Sequence, residues 1–138
     1  MKAIAITGQG GIDKIQSVDV ERPTLGPREV LIETRAVALN HLDIFVRNNL
    51  DVLKLAAPHV AGADAAGVVA EVGNDVKMVK AGDRVLINPG LNCGVCEFCQ
   101  AGEQSLCVRF GIMGESCPGT FAEYFTIPHE NVYPVPEG

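Results

Sequence analysis

Hydrophobic and polar residues alternate over several short stretches of the chain, as they do in β-strands with one buried face. The clearest stretch runs from Glu29 to Leu39. Alternation and β-branched residues together predict strands over residues 2–7, 15–20, 29–39, 61–72, 84–87, 121–127 and 132–135. Apolar residues at helical spacing predict a short helix from His41 to Asn49. Many short strands separated by turns indicate a mainly β fold, either a barrel or a sandwich.

Glycines fall at places where the backbone must turn or approach another segment closely. Gly8-Gln9-Gly10-Gly11 follows the first strand and superficially resembles a dinucleotide-binding loop, but Asp13 stands where that pattern needs its last glycine. A hairpin turn is therefore predicted here. Gly62, Gly67 and Gly73 lie in or beside the strand predicted over 61–72, and they indicate bulges or close backbone approach.

Composition narrows the classes of function. The chain has 138 residues, a formal net charge of −6 and aromatic residues at only 5%, with no Trp. A nucleic-acid partner would need a basic face or stacking aromatics, so none is expected. No apolar run approaches the ~18 residues of a membrane span, and residues 1–7 are too short for a signal peptide. We expect no membrane partner and a cytoplasmic, reducing location.

Four of the five cysteines lie within fifteen residues, spaced Cys93-x2-Cys96-x2-Cys99-x7-Cys107. Zinc prefers four tetrahedral ligands, and a full set of thiolates leaves no open position for chemistry. Gly94 and Gly102 permit the tight turns that such a site requires. The pattern predicts one structural zinc ion per chain on a loop lobe.

Three other interpretations of these cysteines remain open. A ferredoxin-type iron–sulfur run begins with the same spacing but continues with a shorter gap and Cys-Pro; here the only Cys-Pro is Cys117-Pro118. Disulfides would suit a secreted protein, and unligated thiols seldom cluster in fours. Cys117 lies outside the spacing and is interpreted as a small packing residue.

Several motifs recur in a characteristic order around the cysteines. They are Ala38-Leu39-Asn40-His41-Leu42-Asp43, the glycine-rich segment 62–73, Gly82-Asp83-Arg84-Val85, and Gly119-Thr120-Phe121-Ala122-Glu123-Tyr124. In this order they resemble the N-terminal GroES-like domain of the medium-chain dehydrogenase/reductase family, which includes zinc alcohol dehydrogenases and quinone oxidoreductases. The resemblance implies a partly open β-barrel with short helices and a zinc-binding loop lobe.

The same resemblance implies how the chain is organised. Residues 1–138 would form the catalytic domain, Pro134 to Gly138 would be a linker, and an absent Rossmann domain would follow. The full-length enzyme would use NAD(P)H and a small-molecule substrate, and would be a homo-oligomer. The fragment alone is expected to be inactive.

The sequence departs from the zinc alcohol dehydrogenases at three positions. Asn40 stands where those enzymes have a Cys that binds the catalytic zinc, and Gly62-Ala63-Asp64 replaces Gly-His-Glu. Leu42 replaces the Ser or Thr that relays a proton. We therefore expect a structural zinc without the usual catalytic zinc.

Asn40, followed by Asp43 and Arg47, looks more like the quinone and enone reductase branch. The resemblance implies that Asn40 contacts the nicotinamide ribose or a substrate carbonyl, that His41 lies beside the cofactor pyrophosphate, and that Asp43 orients its neighbours. Asp43 is equally interpretable as a helix cap, and His41 as a solvated side chain. The alternatives are a zinc-type alcohol dehydrogenase and a stand-alone, non-enzymatic GroES-like module.

Overall fold

The computed structural model describes residues 1–136, so Glu137 and Gly138 of the predicted linker lie outside the described part. The predicted mainly β fold with short helices is confirmed. The strands are β1 (Lys2–Ile6), β2 (Ile15–Asp19), β3 (Glu29–Val37), β4 (His59–Val60), β5 (Ala65–Val72), β6 (Arg84–Ile87), β7 (Gly90–Leu91), β8 (Gly111–Ile112), β9 (Tyr124–Pro128) and β10 (Val132–Pro134). The helices are α1 (His41–Asn48) and α2 (Glu97–Gln100), with 3-10 turns at Ile12–Lys14, Gln104–Leu106 and His129–Asn131. None of the helices in this range is long and apolar enough to cross a membrane.

Two antiparallel sheets form the body of the domain. One has the order β10-β6-β5-β3-β9 and the other β2-β1-β4. They meet where the Ile4 N–H donates to the Phe121 carbonyl at 2.7 Å and Ala3 bridges to Ala122. The second sheet thus continues from the segment before β9, which gives the partly open barrel that the resemblance implied.

Apolar side chains on the inner faces of the larger sheet make the main core. Val30, Ile32, Val85 and Ile127 have no exposed surface, and burial of a side chain of this size contributes about 1.5–3 kcal/mol. A second cluster forms where α1 packs on β1, built from Ile6, Val46, Leu50 and Ala61. This cluster fixes the position of α1 relative to the barrel.

The predicted strand over residues 61–72 is shorter than expected and begins at Ala65. The residues just before the predicted strand, His59 and Val60, form a separate two-residue strand that pairs with β1. Between them and β5 the backbone turns at Gly62, whose φ is +96°. A positive φ is incompatible with a continuous strand, so the small apolar residues around Gly62 form a bend.

Gly67 and Gly73 lie where backbones approach closely, as predicted. A Cβ on Gly67 would be 2.2 Å from the Glu33 carbonyl oxygen, and one on Gly73 would be 2.3 Å from the Pro27 carbonyl oxygen. The predicted hairpin turn after the first strand is also confirmed, because β1 and β2 pair antiparallel around it. This pairing excludes the strand-to-helix geometry of a dinucleotide loop.

Candidate metal lobe and candidate active site

The cysteines lie on a lobe that leaves the barrel through a narrow two-stranded neck. Strands β7 and β8 pair through Gly90 with Ile112 and Leu91 with Gly111. The side chain of Asn131, which is buried, donates hydrogen bonds of 2.8 Å to the carbonyls of both Asn88 and Gly90. The base of the lobe is therefore held by the turn before β10.

The structure brings together the four sulfur atoms whose clustering the spacing predicted. The Sγ atoms of Cys93, Cys96, Cys99 and Cys107 all lie within 4.8 Å of one another. The Cys96 and Cys99 sulfurs are 3.5 Å apart, and those of Cys93 and Cys99 are 3.9 Å apart. In a regular tetrahedron with Zn–S bonds of about 2.3 Å, neighbouring sulfurs are about 3.8 Å apart. The observed distances therefore fit a single tetrahedral ion.

The same distances argue against two of the alternatives. A disulfide needs sulfurs about 2.05 Å apart, and the described cysteines are all free. A multi-iron cluster divides the four thiolates among two or four iron atoms, so some of the sulfurs must lie farther apart than the 4.8 Å that separates these four at most. The predicted positive-φ turns are present at Gly94 (φ +70°) and Gly102 (φ +82°).

Backbone N–H groups donate to the sulfurs and favour the thiolate form at Cys93. The Cys93 and Arg109 N–H groups each donate to the Cys107 sulfur at 3.3 Å. Hydrogen bonds from the backbone of Val95 and Cys96 lower the pKa of Cys93 to about 6, whereas burial raises the pKa of Cys99 to about 12. Four thiolates so close together need a cation to neutralise them, which zinc supplies.

The candidate active site lies at one end of the larger sheet. Strand β3 ends at Val37, which pairs with Ala65 at the beginning of β5. Because the two strands are antiparallel, the residues after β3 and those before β5 emerge at the same edge. Asn40 and Asp64, which are 24 positions apart in sequence, consequently meet there.

Asn40 is held from two directions. Its side-chain Nδ2 donates to the Asp64 Oδ2 at 2.9 Å, and its backbone N–H donates to the Asp43 Oδ2 at 2.8 Å. The second bond is half of a capping box at the beginning of α1, so the capping interpretation of Asp43 describes its contact correctly. Asp43 also lines an apolar groove of about 530 Å³ beside β1 and β2, together with Leu39 and Phe121.

His41 and Leu42 occupy the first turn of α1 with different surroundings. His41 is exposed, so its predicted contact with cofactor pyrophosphate stays a prediction. Leu42 packs against the second core cluster. Because its side chain is apolar, Leu42 offers no group for proton transfer.

Within residues 1–136, the four cysteines are the one set of three or more His, Cys, Asp or Glu side chains whose ligand atoms converge. Ala63, next to Asp64, is buried and carries no donor atom. His59 is also buried, and its Nε2 lies 3.0 Å from the Gly114 carbonyl oxygen, which is a packing role. The described residues therefore offer one cluster of metal ligands, on the lobe.

The sequence-based predictions did not include the contact between Asn40 and Asp64. The predicted strand 29–39 ends directly before Asn40, but Asp64 lies inside the predicted strand 61–72, so the pattern placed only Asn40 at the end of a strand. The register that places them side by side is set by irregularities in the β3–β5 pairing, between Leu31 and Ile32 and between Thr34 and Ala36. Such irregularities are not visible in a sequence pattern.

A partly open barrel with a thiolate metal lobe defines a recognisable class of domain, and comparison with known proteins identifies the family. Residues 26–137 match the profile of the alcohol dehydrogenase GroES-like domain. The chain belongs to this family, which is the N-terminal domain of the medium-chain dehydrogenases/reductases.

Individual relatives agree with this assignment. The chain is 33% identical over 139 residues to an L-threonine 3-dehydrogenase of Pyrococcus horikoshii, covering 99% of this chain and 39% of that protein. A solved NAD-dependent alcohol dehydrogenase is 47% identical with a TM-score of 0.94, covering 97% of this chain and 39% of the other. A thermostable alcohol dehydrogenase of Pyrobaculum aerophilum, with cobalt and zinc bound, is 35% identical with a TM-score of 0.87, covering 97% and 40%. The chain therefore spans well under half the length of these relatives.

Proposed function

We propose that this chain is the barrel domain of an NAD(P)-dependent oxidoreductase that interconverts an alcohol and a carbonyl compound. The observation that carries the proposal is similarity over nearly the whole chain to dehydrogenases, at 47% identity and a TM-score of 0.94 in one case. Those relatives are about two and a half times as long, since the chain covers 39% of that structure. A following nucleotide-binding Rossmann domain would account for the difference and would hold the cofactor.

In the proposed reaction, the cofactor and this domain would have different roles. A bound nicotinamide supplies hydride transfer, so the protein contributes binding, orientation and electrostatics. Asn40 is held by Asp64 and Asp43, and by the family resemblance it would contact the reacting groups. The apolar groove beside Asp43 provides a surface from which water is readily displaced.

We assign zinc to the cysteine lobe, where it has a structural role. All four tetrahedral positions would be filled by sulfur, so no position would remain for a substrate. Binding of the ion there would stabilise the lobe, because 3-10 turns and a four-residue helix bury too little apolar surface to fold unaided.

The sequence motifs predict a quinone or enone reductase, but the relatives favour the alternative, a zinc-type alcohol dehydrogenase. The similar proteins are named as threonine and alcohol dehydrogenases. Asn40 and Ala63 nevertheless stand in place of catalytic zinc ligands, and together with Asp43 and Arg47 they favour the reductase branch. A quinone or enone reductase is therefore our second candidate.

Turnover by the full-length protein separates these candidates. The protein would be assayed with NAD⁺ and NADP⁺ against primary and secondary alcohols, and with NADH and NADPH against ketones, enones and quinones. We expect alcohols and ketones to be turned over at least tenfold faster than enones and quinones, which corresponds to about 1.4 kcal/mol of transition-state stabilisation. The reverse preference would support the second candidate, and no turnover of any pair would contradict an enzymatic role.

A further inference from the structure

The amide of Asn40 has a fixed orientation. Its Nδ2 lies 2.9 Å from the Asp64 Oδ2, and an ionised carboxylate can only accept hydrogen bonds. The Asn40 NH₂ group must therefore face Asp64. Its second hydrogen is directed at the Ala38 carbonyl, 3.5 Å from Nδ2. Both side-chain donors of Asn40 are thus engaged within the protein.

What remains for a ligand at this place is a set of oxygen acceptors. The second oxygens of Asp64 and Asp43 can each accept a hydrogen bond, and so can the Asn40 Oδ1, which accepts the Asp43 N–H in the capping box and keeps a second lone pair. None of these oxygens can donate a hydrogen bond. Within the part of the chain that the structure describes, neither carboxylate takes part in a salt bridge. The local charge therefore also favours a ligand group that brings a hydrogen-bond donor.

The backbone of Asp64 is held by hydrogen bonds, so its carboxylate can fix the orientation of the Asn40 amide. Its backbone carbonyl accepts from the Ala38 N–H at 3.4 Å and from the Thr120 hydroxyl at 3.2 Å. Thr120 has no exposed surface. The carboxylate consequently extends from a backbone that is fixed on both sides, which limits its freedom to release Asn40.

We propose that Asp64 is a positioning residue that turns position 40 into an acceptor-only site for a ligand hydroxyl group. The site favours the alcohol form of the substrate over a carbonyl, because a carbonyl oxygen facing these groups would meet only lone pairs. Asn40, Asp43 and Asp64 are half-buried, and a ligand that cannot match the hydrogen-bonding groups of such a site binds it less well. This inference rests on the proposed function and names the ligand group that the site would recognise.

A hydroxyl at this place can come from the substrate alcohol or from a cofactor ribose. Both present the same donor chemistry, so the experiment must separate them. The probes are cyclohexanol, its methyl ether methoxycyclohexane, and the oxidised and reduced nicotinamide dinucleotides. The ether keeps the ring and the oxygen of the alcohol but lacks the O–H donor.

The experiment uses the full-length protein, with binding of each probe followed by calorimetry and by competition against any substrate turned over. In the wild type we expect cyclohexanol to bind about tenfold or more tightly than methoxycyclohexane, as a hydrogen bond to a charged group would give. In the Asp64→Asn variant Asn40 is free to rotate, and this ratio should fall close to one. If the hydroxyl comes from the ribose instead, the same variant should weaken binding of the dinucleotides about tenfold and leave the alcohol-to-ether ratio unchanged.

A charge-conserving exchange distinguishes positioning from a structural role. The double variant Asn40→Asp/Asp64→Asn restores a hydrogen bond with its direction reversed and again leaves acceptors facing the ligand, so it should recover most of the preference. Asp75→Asn, on an exposed residue, is the matched control and should change nothing.

The outcomes of these binding measurements either support or overturn the proposal. Loss of the preference in Asp64→Asn with recovery in the double variant supports it. Equal or unmeasurable affinities of the wild type for the alcohol and its ether, with dinucleotide binding unaffected by Asp64→Asn, would overturn it, as would a metal ion bound between Asn40 and Asp64. Absence of turnover with every alcohol and carbonyl defeats the proposed function alone, because the binding comparison does not require turnover.

Discussion

Single atoms decide how closely the strands of this barrel approach one another. Gly67 sits on β5 opposite Thr34 of β3, and a Cβ there would be 2.2 Å from the Glu33 carbonyl oxygen. Gly82 is different, since its φ is +92° but nothing lies within 4 Å of an added Cβ. One glycine is required for space and the other for backbone conformation.

We therefore expect different consequences from the same substitution at these two positions. Gly67→Ala should lower the free energy of unfolding by about 3 kcal/mol or more, because backbone atoms of two strands would have to separate. Gly82→Ala should lower it by about 1 kcal/mol, the penalty of a positive φ. Chemical denaturation of the protein and both variants measures the difference. Equal effects would show that the β3–β5 approach is looser than described.

At the scale of elements, the metal lobe is a separate unit joined to the barrel by a short neck. Its own secondary structure amounts to the helix Glu97–Gln100 and the turn Gln104–Leu106. Neither element is long enough to be stable alone. A sulfur-bound ion would therefore stabilise the lobe, together with the hydrogen bonds of Asn131 at its base.

The hydrogen bonds of Asn131 provide a direct test of the neck. Asn131→Asp keeps the shape of the side chain but replaces the NH₂ group with an oxygen, which would face the carbonyls of Asn88 and Gly90. We expect a loss of about 2–4 kcal/mol in the free energy of unfolding, because two donors are lost and a charge is buried. Asn74→Asp, on an exposed turn, should change it by less than about 0.5 kcal/mol. Similar stability of the two variants would mean that the neck does not depend on Asn131.

Removal of the metal tests the lobe as an element. With a chelator present, limited proteolysis should cut within residues 88–117 while the barrel strands stay protected, because only the lobe lacks a core of its own. The cleavage sites can be mapped by mass spectrometry. Cleavage spread equally over the barrel would show that the ion stabilises the whole domain instead.

Local sequence patterns were sufficient to predict most helices and strands. They were not sufficient to predict which distant residues would lie side by side. Strand Arg84–Ile87 and helix α1 follow from alternation and helical spacing, because their burial repeats with the period of the element. The two-residue strands β4, β7 and β8 carry no period and were missed. The cysteine lobe was predictable because its ligands are close in sequence, whereas Asn40 and Asp64 meet only through the register of β3 and β5.

At the scale of the whole molecule, the metal lobe and the edge of the larger sheet would have different roles. The lobe would hold a metal for stability, and the edge of the sheet near Asn40 would orient a ligand by hydrogen bonds. The exposed surface of His41 and the groove beside Asp43 lie on the same side as Asn40, at the beginning of α1. Both would face the cofactor if a nucleotide-binding domain follows, as the greater length of the relatives suggests.

The central claim is that sulfur holds the metal of this chain and that the place between Asn40 and Asp64 holds none. Measuring zinc in the purified full-length protein by mass spectrometry tests it directly, with the variants Cys107→Ser and Cys117→Ser alongside. We predict about one zinc ion per chain in the wild type and in Cys117→Ser, and a sharp loss in Cys107→Ser. About two ions per chain, or a full complement that survives Cys107→Ser, would contradict the account.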